Sequence, residues 1–331
     1  MGRPNMKVLA GDVGGTKTSL AIFEVEGSQL DVLALEKYPS QQYGSLDEIV
    51  RQFSETNSLK CEFASFGIAG FVRDGKSETT NLPWLVDAQS MALAMGFRKV
   101  WLLNDLEANA WGISAMKDKD FFVLNEGRPN RAGNSSIISA GTGLGQAGLF
   151  WDGKRYRPFA SEGGHADFAP HSDLEISFLQ YLKQRYTHVS WERVVSGMGL
   201  VNIYQFLCEH RKYATPEWLA QEMQSGDPAT AISQAAQANR CPVCNESLEL
   251  FIHLYGVEAG NHALKIMVTG GVFIGGGIAP KILDSLKGPS FMQAFQSKGR
   301  MESLMRDMPV KVILNDRTAL YGPAVFAAAE V

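Results

Sequence analysis

The sequence predicts an α/β protein made of two domains, the second larger and mostly helical. Two similar glycine-rich turns, residues 12–18 and 140–145, each lie between two short apolar runs. Strand and helix patterns alternate over the first hundred residues, and helical patterns dominate from Asp173 to about Lys265. A chain of 331 residues is long enough to form two domains with substantial cores.

Each glycine turn is typical of a tight β-hairpin. Apolar runs at 7–10 and 20–23 flank the first turn, and runs at 137–139 and 147–150 flank the second. Glycine permits the positive φ angles of a tight turn, and it leaves backbone N–H groups accessible to a phosphate. One such turn is more often only a hairpin. The repetition favours two domains that hold the phosphates of a nucleotide between them.

The remaining elements of the first domain follow from apolar spacing. After the hairpin comes an apolar run at 32–35, and apolar residues at Leu46, Ile49, Val50 and Phe53 have helical spacing. The further predictions, in order, are a strand over Phe63–Ile68, a turn at 69–70, a helix from about Val86 to Met95 that Gly96 ends, a strand over 100–103 and a helical run over 106–116. This order predicts an open sheet covered by helices.

The polar stretch 118–133, which contains Pro129, is predicted to cross into the second domain. Beyond the second hairpin and the helical region, we predict a strand over 272–274, a three-glycine turn and a helix that begins near Pro280. A strand over 310–314 and an apolar helix over 319–329 close the chain. The predicted domains are 6–114, with about 306–331 returning to it, and 115–305.

Composition limits the partners. A net charge of −4 argues against nucleic acid, because no basic stripe is available to replace counterions. The first six residues lack the apolar core of a signal peptide, and the uncharged windows 135–151 and 266–280 are glycine-rich and shorter than a membrane span. We therefore expect a cytoplasmic protein with no membrane partner.

The cysteines leave two alternatives. Cys241-Pro-Val-Cys244 has the spacing of half a zinc knuckle, which Cys208 and His210 could complete, but no second pair follows it. The favoured interpretation is two ordinary thiols near the start of a helix. Four cysteines in the chain fit a reducing compartment.

Asn104-Asp105 directly follows a predicted strand and precedes a predicted helix. Ligands of open α/β sheets bind beyond the carboxyl ends of the strands, where Asp105 could accept a proton from a substrate hydroxyl group. Asn104 and Glu107 also have the spacing of a capping box, which needs no catalysis. Both roles are compatible, because a helix start can hold a catalytic group rigidly.

Three further segments could bind a ligand. Glu162-Gly-Gly-His165 would bring a carboxylate and an imidazole together, a combination suited to sugar hydroxyl groups. Glu192 follows the predicted cap Ser190 and is a weaker candidate, since an acid there often serves the helix dipole. The segment 269–280 could expose backbone to a flat adenine, or it could be only a tight packing turn. None of the glycine turns is a Walker loop or a GxGxxG fingerprint.

Together, these motifs resemble the bacterial ATP-dependent glucokinase family. The resemblance runs from Lys7 to about Ala328 and includes Asp-Val-Gly-Gly-Thr at 12–16, Ser-Glu-Gly-Gly-His-Ala-Asp-Phe-Ala-Pro at 161–170, Glu-Arg-Val-Val-Ser-Gly-Met-Gly-Leu at 192–200 and Gly-Gly-Val-Phe-Ile-Gly-Gly-Gly-Ile at 270–278. It implies two ribonuclease-H-like domains of the hexokinase and actin type around a cleft. It also implies a cytoplasmic enzyme of glycolysis that phosphorylates the 6-hydroxyl group of glucose, and a homodimer.

The resemblance also implies roles for individual residues. Asp105 would be the general base, and Asp12 would lie near Mg²⁺, through water. The sugar contacts would be Asn81, Asn104, Glu162, His165 and Glu192. The ATP contacts would be Gly14, Gly15, Thr16, Lys17, Gly141, Thr142 and Gly143 at the phosphates, with Gly275 and Gly276 at the adenosine. Lys17 is similar to the related ROK sugar kinases, but their cysteine-rich zinc motif does not follow His165, so no zinc is expected.

The sequence leaves two alternative functions open. One is a kinase of the same architecture that acts on mannose, fructose or an N-acetylhexosamine. The sequence separates these substrates poorly, because the stereochemistry of their hydroxyl groups is read by loops such as 81–84. The other is a sugar-binding regulator without catalysis. The short segment before the first strand leaves no space for a DNA-binding helical pair, and Asp105 is present, so the kinase is favoured.

Overall fold

The computed structural model describes residues 6–331, apart from residues 28, 59, 80, 81, 129 and 131. The described chain forms two compact units. The first comprises Met1–Asp120, Tyr156–Ala160 and Asn315–Val331, and the second comprises Phe121–Arg155 and Ser161–Leu314. The domain boundaries that the sequence suggested stay predictions, and Pro129 of the predicted crossover lies outside the described residues.

The strands alternate with helices in the first unit and frame a helical region in the second. The strands are β1 Met6–Val13, β2 Lys17–Glu26, β3 Gln29–Pro39, β4 Phe63–Ile68, β5 Gly70–Arg73, β6 Lys76–Thr79, β7 Leu85–Asp87, β8 Lys99–Asn104, β9 Phe121–Asn125, β10 Asn134–Ala140, β11 Leu144–Trp151, β12 Tyr156–Ser161, β13 Val268–Gly275 and β14 Val310–Ile313. The α-helices are α1 Leu46–Asn57, α2 Ala88–Met95, α3 Asp105–Gly112, α4 Asp173–Lys183, α5 Gly197–Arg211, α6 Glu217–Ser225, α7 Pro228–Gln237, α8 Pro242–Lys265, α9 Leu283–Leu286, α10 Pro289–Gln296, α11 Glu302–Asp307 and α12 Thr318–Glu330.

The two larger sheets of the described residues have the same arrangement of their central strands. The strand orders are β3-β2-β1-β4-β8 and β12-β11-β10-β13-β14-β9. In each sheet an antiparallel hairpin, β1–β2 or β10–β11, is followed by a parallel neighbour, β4 or β13. Both predicted glycine hairpins are therefore confirmed, and they occupy equivalent positions.

Local signals explain where the first helices begin. In α1, the Ser45 hydroxyl accepts a hydrogen bond from Glu48 N, and the four apolar residues that predicted the helix are all buried. α2 begins at Ala88 rather than at the predicted Val86, because the Asp87 carboxylate accepts a hydrogen bond from Ser90 N at 2.9 Å. Gly96, at φ 74°, ends α2 as predicted.

Several elements differ from their predicted form or extent. The polar crossover contains β9, because its apolar run Phe121–Asn125 pairs with β14 at the sheet edge. The predicted turn at 69–70 is a bend at Ala69 alone, and Gly70 already starts β5, which forms a small sheet with β6 and β7. The helical run 106–116 stops at Gly112 and continues as a 3₁₀ turn over Ile113–Ala115.

No helix begins at Pro280. Turns follow β13, and α9 starts only at Leu283. The backbone after β13 is held against the end of β10, because Ile278 N donates to the Ala140 carbonyl at 3.2 Å. Gly276 supports this path with φ +83°, a conformation that disfavours other residues.

The second unit is mostly helical between residues 173 and 265, as predicted. Its core packs α8 against α5, α7 and the sheet, with Phe251 and Tyr255 fully buried. Cys241 and Cys244 are buried free thiols at the start of α8, the position that the sequence predicted for them. Within the described residues, no helix is both long enough and apolar enough to cross a membrane.

We predict that the folded second unit loses stability at acid pH because of His262 on α8. It is buried, its Nε2–H donates to the Ala147 carbonyl at 3.3 Å, and burial lowers its pKa to about 4. Between the unfolded pKa of about 6.5 and this folded pKa, the unfolded chain binds the extra proton, so stability falls as pH falls. We expect this histidine to remove about 2 kcal/mol of the free energy of unfolding between pH 7 and pH 5.

The variant His262→Gln keeps an N–H donor without the titration. Denaturant unfolding at pH 7 and pH 5 should show a smaller loss for this variant than for the wild type. Equal losses in both proteins would exclude His262 as a source of acid lability.

Candidate functional site

The candidate site of the first unit lies at the carboxyl edge of its sheet. β1, β4 and β8 are parallel neighbours, in a register that pairs Val13 with Ile68 and Ile68 with Asn104. All three strands therefore end at one edge. The Gly14–Thr16 turn follows β1 at this edge, and Asp105 follows β8. The structure thus brings the first glycine turn and the predicted base to the same side of the sheet.

Ser40 fixes the first glycine turn. Gly14 N donates to the Lys17 carbonyl at 3.0 Å, which closes the turn. The Ser40 hydroxyl donates to the Gly14 carbonyl at 2.7 Å, and Ser40 N donates to the Thr16 carbonyl at 3.0 Å. Ser40 is fully buried, whereas Thr16 and Lys17 are exposed. Ser40 was not among the residues that the sequence predicted, because nothing local in the chain connects it with the turn.

Asn104 and Asp105 form the start of α3. The Asn104 Oδ1 accepts a hydrogen bond from Leu106 N at 2.9 Å, and its Nδ2 donates to the Gly70 carbonyl at 3.2 Å. The predicted helix cap is therefore confirmed. Asp105 Oδ1 also accepts from Leu106 N at 2.9 Å. Both side chains are thus oriented by the first turn of the helix.

Close helix packing holds α3 in place. α3 contacts α12 through a glycine on each helix, Gly112 and Gly322. A Cβ on Gly322 would overlap the Ala108 carbonyl, and one on Gly112 would overlap the Thr318 carbonyl. Glycine lets the two backbones approach, so the helix that begins with Asp105 is rigidly seated.

Asp12, near the end of β1, places a second carboxyl group at this edge. Its pKa is raised to about 6, first because the carboxyl group is desolvated and second because Asp105 is negative, with Lys17 opposing the shift. The two carboxylates therefore interact electrostatically. Such a pair of hard oxygen donors suits a divalent cation, which would relieve the repulsion.

Glu192 lies against the second glycine turn. Gly141 N donates to the Gly143 carbonyl at 2.9 Å, and Gly197 N donates to the Gly141 carbonyl at 2.8 Å. Leu144 N donates to Glu192 Oε2 at 3.1 Å, and a Cβ on Gly143 would overlap that carboxylate. Ser190 occupies the cap position of the short 3₁₀ turn, but its side chain makes no capping hydrogen bond. Glu192 thus supports the turn rather than serving only a helix dipole.

The third glycine segment lies beside the second turn. Gly275 ends β13 and pairs with Ser139 of β10, one residue before Ala140. Gly276 packs so closely on the Ala140 backbone that a Cβ there would overlap its carbonyl. The structure therefore brings together the predicted ATP contacts of the second unit, Gly141–Gly143 and Gly275–Gly276.

Glu162 and His165 lie side by side, as predicted. Residues Gly163–His165 form a 3₁₀ turn in which His165 N donates to the Glu162 carbonyl at 2.9 Å. His165 Nε2 lies 3.8 Å from Glu162 Oε2, and both side chains are mostly exposed. A donor or acceptor nitrogen and two acceptor oxygens thus face solvent together, which suits adjacent hydroxyl groups.

Asn81 lies outside the described residues, but hydrogen bonds hold the residues near it in place. Trp84 is buried, and its Nε1–H donates to the Tyr43 carbonyl at 3.2 Å. The Thr79 hydroxyl donates to the Leu82 carbonyl at 2.8 Å. In the described part of the chain, no cluster of three or more His, Cys, Asp or Glu side chains is arranged to hold a metal ion.

Comparisons with family models, with protein sequences and with solved structures all find the same family. The family model described as Glucokinase matches residues 9–330. A protein of Nostoc punctiforme named Glucokinase is 43% identical, over 97% of this chain and 98% of its own. The crystal structure of a glucokinase from an Antarctic psychrotroph matches with a TM-score of 0.87 and 28% identity, over 98% of this chain and 99% of that one.

A more distant structure supports the fold alone. It is a ROK family glucokinase from Streptomyces griseus in complex with glucose and AMPPNP, with a TM-score of 0.63, 21% identity and coverage of 98% and 99%. The predicted fold class, an α/β protein of the hexokinase and actin type, is confirmed by these likenesses together with the two hairpin-centred sheets.

Proposed function

Since the chain belongs to the glucokinase family and transfers the γ-phosphoryl group of ATP to the 6-hydroxyl group of glucose, we propose that Asp105 is the general base of this reaction. The observation that carries the proposal is the carboxylate pair of Asp12 and Asp105 at the carboxyl edge of one sheet. One carboxylate would accept the proton, and the other would serve the cation that accompanies ATP.

Asp105 acts by taking the proton of the 6-hydroxyl group as the oxygen attacks the γ-phosphorus, while the bond from that phosphorus to the β,γ-bridging oxygen breaks and ADP leaves. Phosphoryl transfer requires mainly positioning and charge neutralisation, so a rigid base contributes more than a mobile one. The supports for this rigidity are the Leu106 N hydrogen bond and the close packing of α3 on α12.

The proposed sugar contacts match the chemistry of hydroxyl groups. Glu162 accepts hydrogen bonds, and His165 donates or accepts them. Asn104 carries a second N–H group besides the one directed at Gly70. Glu192 and Asn81 complete the proposed set.

The proposed ATP contacts are backbone groups of tight turns. Gly14, Gly15, Thr16, Lys17, Gly141, Thr142 and Gly143 would bind the phosphates, and Gly275 and Gly276 would lie against the adenosine. The exposed Thr16, Lys17 and Thr142 side chains add hydroxyl groups and one positive charge. Turns of this kind need little rearrangement when ATP binds, because hydrogen bonds already fix their backbone.

Mg²⁺ fits the first unit, where Asp12 would hold it through water. The desolvated, negatively charged surroundings that raise the pKa of Asp12 are those a cation would neutralise. When bound, the ion would neutralise charge on the ATP phosphates. Asp12 itself would orient the water ligands as a hydrogen-bond acceptor.

We also propose that the enzyme acts in the cytoplasm, as an enzyme of glycolysis and as a homodimer. Four free cysteines support a reducing compartment. The net charge of −4 supports small-molecule substrates rather than nucleic acid.

His165→Ala tests the sugar contacts. We expect the KM for glucose to rise about tenfold or more, because a hydrogen bond to the sugar is lost, while the KM for ATP changes by less than about twofold. Steady-state kinetics with each substrate varied in turn measures both constants.

The matched control is His210→Ala, which removes an exposed histidine of α5 that contacts only Phe206 among the ring contacts described. It should leave both constants unchanged. Equal weakening of glucose and ATP in His165→Ala would contradict the assignment of His165 to the sugar.

A further inference from the structure

One face of α8 carries a row of buried polar side chains directed at the β10–β11 hairpin. Tyr255, Glu258 and His262 are spaced three and four residues apart, which places them on the same face. Each forms a hydrogen bond with the hairpin: Tyr255 Oη accepts from Ala140 N at 3.3 Å, Glu258 Oε1 accepts from Gln146 Nε2 at 2.7 Å, and His262 Nε2–H donates to the Ala147 carbonyl at 3.3 Å. Only the Glu258 bond reaches a side chain of the hairpin.

That side chain, Gln146, lies directly beneath the Glu162–His165 turn. Its Oε1 faces Gly163, and a Cβ on Gly163 would overlap it. Gly164 packs equally closely on the Leu144 carbonyl of the same strand. β11 and the Gln146 amide thus form the surface on which the turn rests, and a shift of the amide would displace the turn.

Glu258 fixes the amide of Gln146 from the other side. Gln146 and Glu258 are 1% and 0% exposed, respectively. Glu258 Oε2 accepts from Asn261 Nδ2 at 3.2 Å, and Asn261 Oδ1 accepts from Lys298 Nζ at 2.9 Å. The network therefore leaves Gln146 one orientation, with Nε2 towards Glu258 and Oε1 towards Gly163.

Stability alone is a poor explanation for this arrangement. Burying a carboxylate is costly, and an apolar pair of the same shape would be neutral or more stable. A hydrogen-bonded amide, by contrast, has a fixed position and orientation. The pair is therefore suited to defining where the turn above it lies.

We propose that Gln146, oriented by Glu258, is a positioning residue that sets the affinity for glucose by fixing the Glu162–His165 turn. Neither side chain contacts the sugar; both act through Gly163. The inference rests on the proposed sugar contacts of Glu162 and His165, and it adds a specific requirement for the buried pair.

The test exchanges the two side chains. Gln146→Glu places two carboxylates together, which should displace the turn and raise the KM and the equilibrium dissociation constant for glucose about ten- to a hundredfold. The KM for ATP should change by less than about twofold. In Gln146→Glu with Glu258→Gln, the amide and carboxylate are reversed, the net charge is restored, and each hydrogen bond can reform. This double variant should recover most of the glucose affinity.

Two controls separate positioning from general destabilisation. His262→Gln alters the same face of α8 without touching Gln146 or Gly163, so it should leave the glucose constants unchanged whatever its melting temperature. Gln146→Asn keeps the amide but shortens its reach, and it should weaken glucose binding in the same direction if Gln146→Glu does not fold.

The outcomes also distinguish this inference from the proposed function. Should His165→Ala leave glucose affinity unchanged, the sugar contacts themselves would be wrong. If His165→Ala weakens glucose binding but folded Gln146 variants do not, or if they weaken glucose and ATP equally, the positioning role is overturned. Failure of the exchanged pair to restore affinity, despite a wild-type melting temperature, would also overturn it.

Discussion

Asp105→Asn is expected to lower kcat by roughly 10² to 10⁴, which is the usual contribution of a general base. The asparagine Oδ1 can still accept the hydrogen bond from Leu106 N, so α3 should start unchanged. The KM for glucose should therefore change only a few-fold. An amide cannot accept the proton of the 6-hydroxyl group, and this is the reason for the loss. Steady-state ADP release, with ATP and glucose saturating, measures kcat.

Glu107→Gln is the matched control, because it makes the same carboxylate-to-amide change two residues further along α3. The Glu107 carboxylate forms a hydrogen bond with the Asn104 backbone and is not part of the proposed site, so kcat should remain close to that of the wild type. A wild-type kcat in folded Asp105→Asn would remove Asp105 from the role of base. Equal losses in both variants would indicate damage to the helix instead.

The features that sequence reasoning recovered depend on neighbouring residues. Two glycine turns between apolar runs were sufficient to predict both hairpins, because a hairpin is a local structure. Asn104 directly before the helical run was sufficient to predict a capped helix start beside Asp105. Glu162 and His165, separated by two glycines, were correctly expected to lie together.

The features that it missed depend on residues distant in the chain. Ser40 fixes the Gly14 turn from 26 residues away, and Glu258 orients Gln146 from 112 residues away. No local pattern distinguishes these side chains from any other serine or glutamate. β9 was missed because the charged flanks of 118–133 obscured its apolar run, and because its partner, β14, lies near the end of the chain.

Pro280 shows how tertiary contacts override a local signal. Proline after a glycine turn is typical of a helix start, yet the backbone of residues 276–278 is drawn onto Ala140. The same contact brings Gly275 and Gly276 beside the Gly141 turn. The error in the predicted helix and the proximity of the two glycine segments therefore have one cause.

Asp12→Asn should reduce activity and stabilise the ligand-free protein at the same time. If Asp12 orients the water ligands of Mg²⁺, its loss should weaken apparent Mg²⁺ affinity about 10- to 100-fold, measured by titrating Mg²⁺ at constant ATP. The ionised carboxylate is disfavoured in the folded state, because its pKa is about 6, well above the ordinary value of 3.8. Above pH 6 the substitution should therefore raise the free energy of unfolding by about 2 to 3 kcal/mol.

The pH dependence of this stabilisation identifies its cause. A raised carboxyl pKa means that the folded protein binds more protons than the unfolded chain between about pH 3.8 and 6, so the wild type loses stability as pH rises through that interval. The amide does not titrate. The difference in melting temperature between variant and wild type, without Mg²⁺, should be near zero at pH 4 and reach about 2 to 4 °C above pH 6. A constant difference across this range would mean that the substitution acts through packing, and that neither desolvation nor repulsion from Asp105 disfavours the ionised form of Asp12.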